Sequence, residues 1–207
     1  DFIGFQSPRS PHFIKNIISG IETAEAELHD FGLNITTHTF QLDKPERQIE
    51  QLHSISGEET DAVALIPNDI GSRRDVPALK REVARLIEEG VTVITVNRDL
   101  PDSGRHWYVG CDYEKSGALA GEILGKMCPR GDLLVPIGGD EKVYYDLFHR
   151  LKGFREKIKR FDHLRILPSY HYEDHPEQLH EYLDRQLTDN PYITGIFDLS
   201  YELDIVS

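Results

Sequence analysis

Residues 62–96 read AVALIPNDIGSRRDVPALKREVARLIEEGVTVITV, and this stretch decides the fold. It begins with an apolar run at 62–66 and ends with another at 91–96, each as long as a buried strand. Between the runs, four apolar side chains recur at the spacing of one helix face: Leu79, Val83, Leu86 and Ile87. Gly90 follows as a helix-ending residue. The stretch therefore predicts a βαβ unit, which requires a parallel sheet covered by helices.

The same alternation of short apolar runs and helical stripes continues on both sides of this stretch. Upstream, strands are predicted at 2–6 and 34–40, and each is followed by a helix. Downstream, the pattern predicts four more strands, at 107–110, 132–137, 164–167 and 193–197. Helices are predicted between those strands, at 113–127, 145–159 and 176–187. We therefore predict an α/β fold with two doubly wound, Rossmann-like parallel-sheet domains and a ligand cleft between them.

The predicted boundary between the two domains lies in residues 97–106. This stretch has no apolar period and contains Pro101 and Gly104, which are typical of a linker. The N-terminal domain is predicted to span residues 1–100, and the C-terminal domain residues 107–207. The second domain is expected to be incomplete, because nothing follows Ser207 to cover its sheet.

The composition excludes several classes of function. The chain has 207 residues, of which 39% are hydrophobic, and a formal net charge of −13. Such an acidic surface repels phosphate backbones, so these residues are not expected to bind nucleic acid themselves. Since no run approaches the roughly 20 apolar residues of a membrane span, no membrane contact is expected either.

The two cysteines, Cys111 and Cys128, are predicted to be thiols. The helix predicted at 113–127 separates them, and at about 1.5 Å per residue its ends lie roughly 25 Å apart. A disulfide needs Cα atoms within about 7 Å. Because unpaired thiols are typical of reducing compartments, this favours a cytoplasmic location.

The loops at the carboxyl ends of the predicted strands form the candidate site, because ligands bind at that edge of parallel sheets. They are rich in arginine, amide, carboxylate and aromatic side chains, and lie at 7–13, 67–69, 97–99, 110–113, 138–144, 169–172 and 198–201. Aromatic rings pack on the apolar faces of sugars, and charged or amide groups bond sugar hydroxyls. The composition of the loops therefore favours a sugar as the ligand.

Three motifs in these regions resemble a known family. The first is Ser7 ahead of Pro11-His12-Phe13, and the second is the stretch 96–103 leading to 108–113. The third is the Arg-x-x-Gly-Phe element formed by Arg150, Gly153 and Phe154. Together they resemble the type I periplasmic binding proteins and the LacI-type repressors over residues 1 to about 198. The resemblance implies a periplasmic-binding-protein type I fold and a small-molecule ligand.

The resemblance also implies roles for individual residues. Phe13 would pack on the ligand ring with His12 beside it. Arg98 and Arg150 would each donate forked hydrogen bonds to ring hydroxyls, from opposite domains. Asn97 stands where sugar binders of the family often have Asp, a change that removes a charge and leaves a donor and an acceptor.

Two further positions are candidate ligand contacts. Tyr201 falls, with Ser200, where many members carry Asn-Asp, so a ligand contact there is lost or altered. Asp112 precedes a predicted helix, and capping that helix is the stronger interpretation of its carboxylate. A ligand contact by Asp112 is the minor alternative.

Structural interpretations of the other candidates stay open at this point. Arg98 is alternatively a surface partner of Asp99 or Asp102. Arg150 is alternatively a solvated helix residue, and Phe13 a core residue.

No catalytic, cofactor or metal motif is present in the sequence. Gly138-Gly139-Asp140 lacks the Gly-Lys-Ser/Thr of a phosphate loop, and no Gly-x-Ser-x-Gly elbow occurs. The histidines between His163 and His180 do not share a helix face, because Pro176 begins the helix after most of them. We therefore expect no cofactor, no metal and no enzymatic activity.

Our first hypothesis is the sugar-binding effector domain of a LacI-type transcription regulator in the cytoplasm. In that hypothesis a missing N-terminal helix-turn-helix binds operator DNA, the protein is a homodimer, and the sugar changes the spacing of its two DNA-binding heads. The alternative hypothesis is a periplasmic or lipid-anchored sugar-binding protein of an ABC transporter. An enzyme on a similar fold ranks far behind both.

Overall fold

The structure is a computed structural model that describes residues 1–6, 11–41, 44–68, 75–138, 145–172 and 176–199. The chain forms two compact units, Asp1–Gly110 and Cys111–Ser207. In the residues described, no helix has the length and apolar character needed to cross a bilayer.

The first unit contains a five-stranded parallel sheet with the strand order β2-β1-β3-β4-β5. This is a doubly wound order, so the predicted βαβ alternation is confirmed. The strands are β1 (Phe2–Gln6), β2 (Thr37–Gln41), β3 (Ala62–Leu65), β4 (Thr92–Val96) and β5 (Trp107–Val109). The helices that connect them are α1 (Pro11–Leu28), α2 (Pro45–Ser54) and α3 (Asp75–Glu88).

The core of this unit lies where the opening sequence stretch folds. α3 packs the apolar stripe predicted for it against β3 and β4, and Gly90, with φ +89°, lies just past its end. Each fully buried leucine or valine contributes about 1.5–3 kcal/mol. The buried apolar side chains from these three elements are Val63, Leu65, Leu79, Val83, Leu86 and Val93.

The strand predicted to open the second domain instead completes the first sheet. β5 pairs in parallel with β4, with Trp107 opposite Ile94. The chain reverses at Asp102 and Gly104, which have φ values of +59° and +81°. Residues 97–106 are therefore a loop within one unit, and the division between the units falls after Gly110.

The second unit contains two small parallel sheets, ordered β10-β6-β8 and β7-β9. The strands are β6 (Gly131–Leu134), β7 (Pro136–Ile137), β8 (Leu164–Ile166), β9 (Tyr170–His171) and β10 (Ile193–Ile196), and the helices are α4 (Tyr113–Met127), α5 (Tyr145–Ile158) and α6 (Pro176–Asp189). The strand predicted at 132–137 is divided in two after Leu134, and β7 begins at Pro136, a position that proline tolerates because the first residue of a strand need not donate to a ladder. The short strand β9 was missed by the sequence analysis.

Two helices of this unit make an unusually close contact through glycines. Gly117 on α4 faces the Arg150 carbonyl oxygen on α5, and Gly153 on α5 faces the Glu114 carbonyl oxygen on α4. A Cβ added at either glycine would overlap the facing backbone. The spacing of α4 and α5 therefore depends on the absence of side chains at these two positions.

We predict that Gly117→Ala destabilises the chain by about 1–3 kcal/mol, because backbone atoms of α5 must move to admit the new methyl group. Gly20→Ala is the matched control, since Gly20 is an exposed position inside α1 with no atom within 4 Å of the new Cβ. That control is expected to stabilise the chain by about 0.5–1 kcal/mol through helix propensity. Urea unfolding followed by circular dichroism measures both. Equal effects of the two substitutions would contradict the close contact.

Candidate functional site

The carboxyl edge of the first sheet carries a tight, strained turn after β4. Asn97 has φ +61°, in the left-handed region that asparagine tolerates better than most residues. Around it, the Arg98 N–H donates to the Val96 carbonyl at 2.6 Å, which closes a three-residue γ-turn. Such conformations cost about 1–3 kcal/mol and persist only where surrounding contacts impose them.

Two contacts from β5 hold the backbone of this turn. The Asn97 N–H donates to the Val109 carbonyl at 2.8 Å, and the Tyr108 hydroxyl donates to the Asn97 carbonyl at 2.9 Å. The strand that completes the first sheet therefore also fixes the turn that follows β4.

Arg98, the residue after the turn, is buried, with 4% of its surface exposed. Arginine stays protonated in proteins, so its guanidinium places a charged, planar fork of donors at the carboxyl edge of the sheet. Charge-assisted hydrogen bonds of this kind are among the strongest that a polar ligand can accept.

Asp99 and Asp102, the surface partners considered for Arg98, pair with other residues. Asp99 pairs with Arg105 in a two-point contact, at 2.5 Å from Nε and 2.7 Å from Nη2. These hydrogen bonds hold the pKa of the Asp99 carboxyl below its usual value. Asp102 lies 3.9 Å from Lys80 instead.

A buried amide supports the neighbouring loop after β3. Gln48 on α2 is 1% exposed, its Nε2 donates to the Ile66 carbonyl at 2.9 Å, and its Oε1 accepts from the Asn68 N–H at 2.8 Å. Asn68 is itself buried. Gln48 was not among the predicted residues, although it falls four residues before the apolar Leu52 on the inner face of α2, where a polar residue signals a structural hydrogen bond.

In the second unit, Arg150 lies over an aromatic ring. Its guanidinium carbon is 5.0 Å from the centre of the buried Tyr113 ring, a cation–π arrangement. None of the residues that the structure describes accepts a hydrogen bond from its buried Nε. Arg150 is thus partly buried against an aromatic ring, and its contact with a ligand stays a prediction.

The aromatic surroundings of Arg150 extend along α5. Tyr145 contacts Tyr113 edge-on at 6.3 Å between ring centres, and His149 lies 4.2 Å from Tyr145. Tyr113 lies in one of the predicted strand-end loops, but the sequence alone does not bring it to Arg150, because the two residues belong to different helices, α4 and α5. Tyr113, Tyr145 and Arg150 together form a small aromatic and cationic cluster.

Asp112 caps α4, as the stronger of the two interpretations of its carboxylate predicts. Its Oδ1 accepts from the Lys115 N–H at 2.9 Å, and its Oδ2 lies 2.9 Å from the Lys115 ammonium. The backbone hydrogen bond and the ammonium hold the pKa of this carboxyl below its usual value. A ligand contact by Asp112 stays a prediction.

The other predicted contacts fall outside what the structure describes. His12 and Phe13 lie in the first turn of α1, but their side chains are not among those described. Tyr201 lies beyond the last described residue, Leu199. In the described part of the chain, no three potential metal-ligating side chains come together.

Neither cysteine is in a disulfide, as the helix between them predicts. Cys111 is exposed, whereas Cys128 is partly buried, and burial raises the pKa of its thiol.

Comparison with solved structures shows the same fold in several binding proteins. An ABC-transporter solute-binding protein from Burkholderia graminis, in complex with D-arabinose, superposes with a TM-score of 0.72 at 19% identity, covering 96% of this chain and 65% of that one. A periplasmic ribose ABC transporter protein from Conexibacter woesei gives 0.72 at 20% identity, covering 96% and 63%. A solute-binding protein from Actinobacillus succinogenes with bound D-allose gives 0.70 at 21% identity, covering 99% and 71%.

The chain therefore spans less than two thirds of the length of the first two of these proteins. A search of curated proteins found no match. Residues 3–203 match the model of one family, described as a periplasmic binding protein domain. This confirms the broader part of the resemblance and the α/β fold class, and it leaves the narrower LacI-type assignment without support. The chain belongs to the periplasmic binding protein domain family.

Proposed function

We propose that this chain is a sugar-binding protein of the kind that delivers its ligand to an ABC transporter, the alternative of our two sequence hypotheses. Arg98 carries the proposal: a buried arginine follows a strained turn at the carboxyl edge of a parallel sheet, where ligands of this architecture bind. Its role is to donate forked hydrogen bonds to sugar hydroxyls.

The solved structures named above support a sugar as the ligand class. One of them holds D-arabinose, one holds D-allose, and one is named for ribose. All three are transport-related proteins, which favours delivery to a transporter over control of transcription.

We propose binding without chemical conversion. Two carboxylates close in sequence or across the α4–α5 contact to the candidate residues are engaged in ion pairs: Asp99 with Arg105, and Glu114 with Lys152 at 2.7 Å. A general base must be available to take a proton from its substrate, and a carboxylate whose pKa an ion pair lowers is a poor one.

The second candidate is the cytoplasmic LacI-type regulator, a homodimer that binds operator DNA through a separate domain. The two cysteine thiols favour it, because unpaired thiols are more common in reducing compartments. Fractionation of cells that produce the full-length protein separates the candidates. A periplasmic or membrane fraction supports the transport protein, and a cytosolic fraction supports the regulator.

We predict that a sugar raises the melting temperature of the chain, because a ligand that binds only the native state stabilises it. At a hundredfold excess over Kd the gain is about 2.7 kcal/mol, or roughly 5–10 °C for a chain of this size. The measurement is a thermal-shift panel of D-arabinose, D-ribose, D-allose and D-fructose, with sorbitol and ribose 5-phosphate added. The absence of a shift with every compound would count against the sugar proposal.

We predict that Arg98→Ala weakens binding of the best panel sugar by about ten- to a hundredfold, because a buried charged donor is lost. The same loss is predicted for Arg150→Ala. Isothermal titration calorimetry measures both. Arg81→Ala and Arg160→Ala are the matched controls, since these exposed arginines lie on α3 and just past α5. Unchanged affinity in both site variants would remove these two arginines from the binding site.

A further inference from the structure

The turn that presents Arg98 needs more than its own residues to keep its shape. Asn97 has a positive φ, a strained conformation that the backbone keeps only where surrounding contacts impose it. The contacts from Tyr108 and Val109 hold the turn through the backbone of Asn97. The other end of the turn, after Arg98, is held by Asp99.

The Asp99 carboxylate has four donors around it. Besides the two nitrogens of Arg105, its Oδ1 accepts from the Leu100 N–H at 2.8 Å and from the Thr95 hydroxyl at 3.2 Å. Thr95 lies on β4 itself and is fully buried. Asp99 directly follows Arg98, and its side chain bonds both Thr95 on the strand before the turn and Arg105 at the far end of the loop.

Arg105 completes the closure of the loop. It is partly buried, and the next residue joins β4 again, since the His106 N–H donates to the Val93 carbonyl at 2.8 Å and the His106 Nδ1 accepts from the Val93 N–H at 3.1 Å. The two-point contact thus links both ends of the loop 97–106 at its base. A fork of two parallel hydrogen bonds fixes orientation as well as distance.

We propose that Asp99 and Arg105 are positioning residues that hold the strained turn at Asn97 and so aim the Arg98 guanidinium at the ligand. The proposal rests on the proposed function, because it needs Arg98 to contact a sugar. Neither Asp99 nor Arg105 touches the sugar in this proposal: both act through Arg98.

Asp99→Asn is the main test variant, because it keeps the shape of the side chain and removes the negative charge that pairs with Arg105. Asp102→Asn is the matched control: it makes the same change in the same loop, on a carboxylate whose side chain is 94% exposed and 3.9 Å from Lys80. Arg105→Gln tests the partner, and Arg105→Lys keeps the charge but loses the fork.

The first readout is sugar affinity by calorimetry on the 207-residue chain. The probe is whichever of D-arabinose, D-ribose, D-allose and D-fructose binds the unaltered chain most tightly. Asp99→Asn and Arg105→Gln are each expected to weaken binding by about tenfold, Arg105→Lys by less, and Asp102→Asn by less than about twofold.

A double-mutant cycle separates positioning from general support of the fold. In an Arg98→Lys background, Asp99→Asn is expected to weaken binding by less than about twofold, because the residue through which it acts is already altered. An undiminished tenfold effect in that background overturns the proposal. If Arg98→Lys itself leaves affinity unchanged, the proposed function fails at Arg98, and the positioning role fails with it.

The second readout needs no ligand. Trypsin cleaves after arginine, and Arg98 is buried in the unaltered chain, so the loop 97–106 is expected to resist cleavage. Asp99→Asn and Arg105→Gln are expected to admit cleavage after Arg98 or in the adjoining loop, detected by mass spectrometry, while Asp102→Asn stays resistant. If no panel sugar binds, trypsin cleavage still tests whether Asp99 and Arg105 hold the loop. Equal resistance of Asp99→Asn and Asp102→Asn to trypsin overturns the proposal.

Discussion

Parallel strand pairing is the constraint on which the rest of the first unit depends. A parallel strand needs a crossover before its neighbour, and the crossover helices cover the faces of the sheet, so β3 and β4 are mostly apolar. Most polar side chains of these strands then lie near the strand ends, as Thr95 does on β4. Because all five strands run the same way, the carboxyl ends meet at one edge, and Asn68, Asn97 and Arg98 all follow strands at that edge. Two buried polar residues of this unit, Asn68 and Arg98, therefore lie at the same edge of the sheet.

The two candidate arginines are held by different physical means. Arg98 follows a strained backbone turn that hydrogen bonds and an ion pair keep in place. Arg150 stands on a regular helix, and its position depends on how closely α5 approaches α4 through Gly117 and Gly153. Hydrogen bonds fix the first arginine locally, whereas packing of glycines fixes the second over several turns of helix. Moving the backbone of Arg98 therefore requires breaking polar contacts, whereas moving the backbone of Arg150 requires moving helix α5.

The fold could be predicted from the sequence further than the site could. Apolar runs and helical stripes repeat along the chain, so β3, α3 and β4 were found with boundaries close to those observed. The assignment of Trp107–Val109 to the first sheet could not be predicted, because pairing with β4 depends on the reversal at Asp102 and Gly104. The partners of Gln48 and the Asp99–Arg105 pair could not be predicted, because each contact joins residues far apart along the chain or across a loop, although the position of Gln48 on the inner face of α2 indicates that its amide is bonded.

The difference between the two cysteines gives the chain a chemical handle. Thiolate is the reactive form of cysteine, and burial both shields the Cys128 sulfur and raises its pKa. Cys111 is exposed, and the sequence contains no third cysteine. A maleimide fluorophore at neutral pH therefore attaches to Cys111 first, at the point where the second unit begins. Preferential labelling of one position is therefore available in this 207-residue chain without an engineered residue.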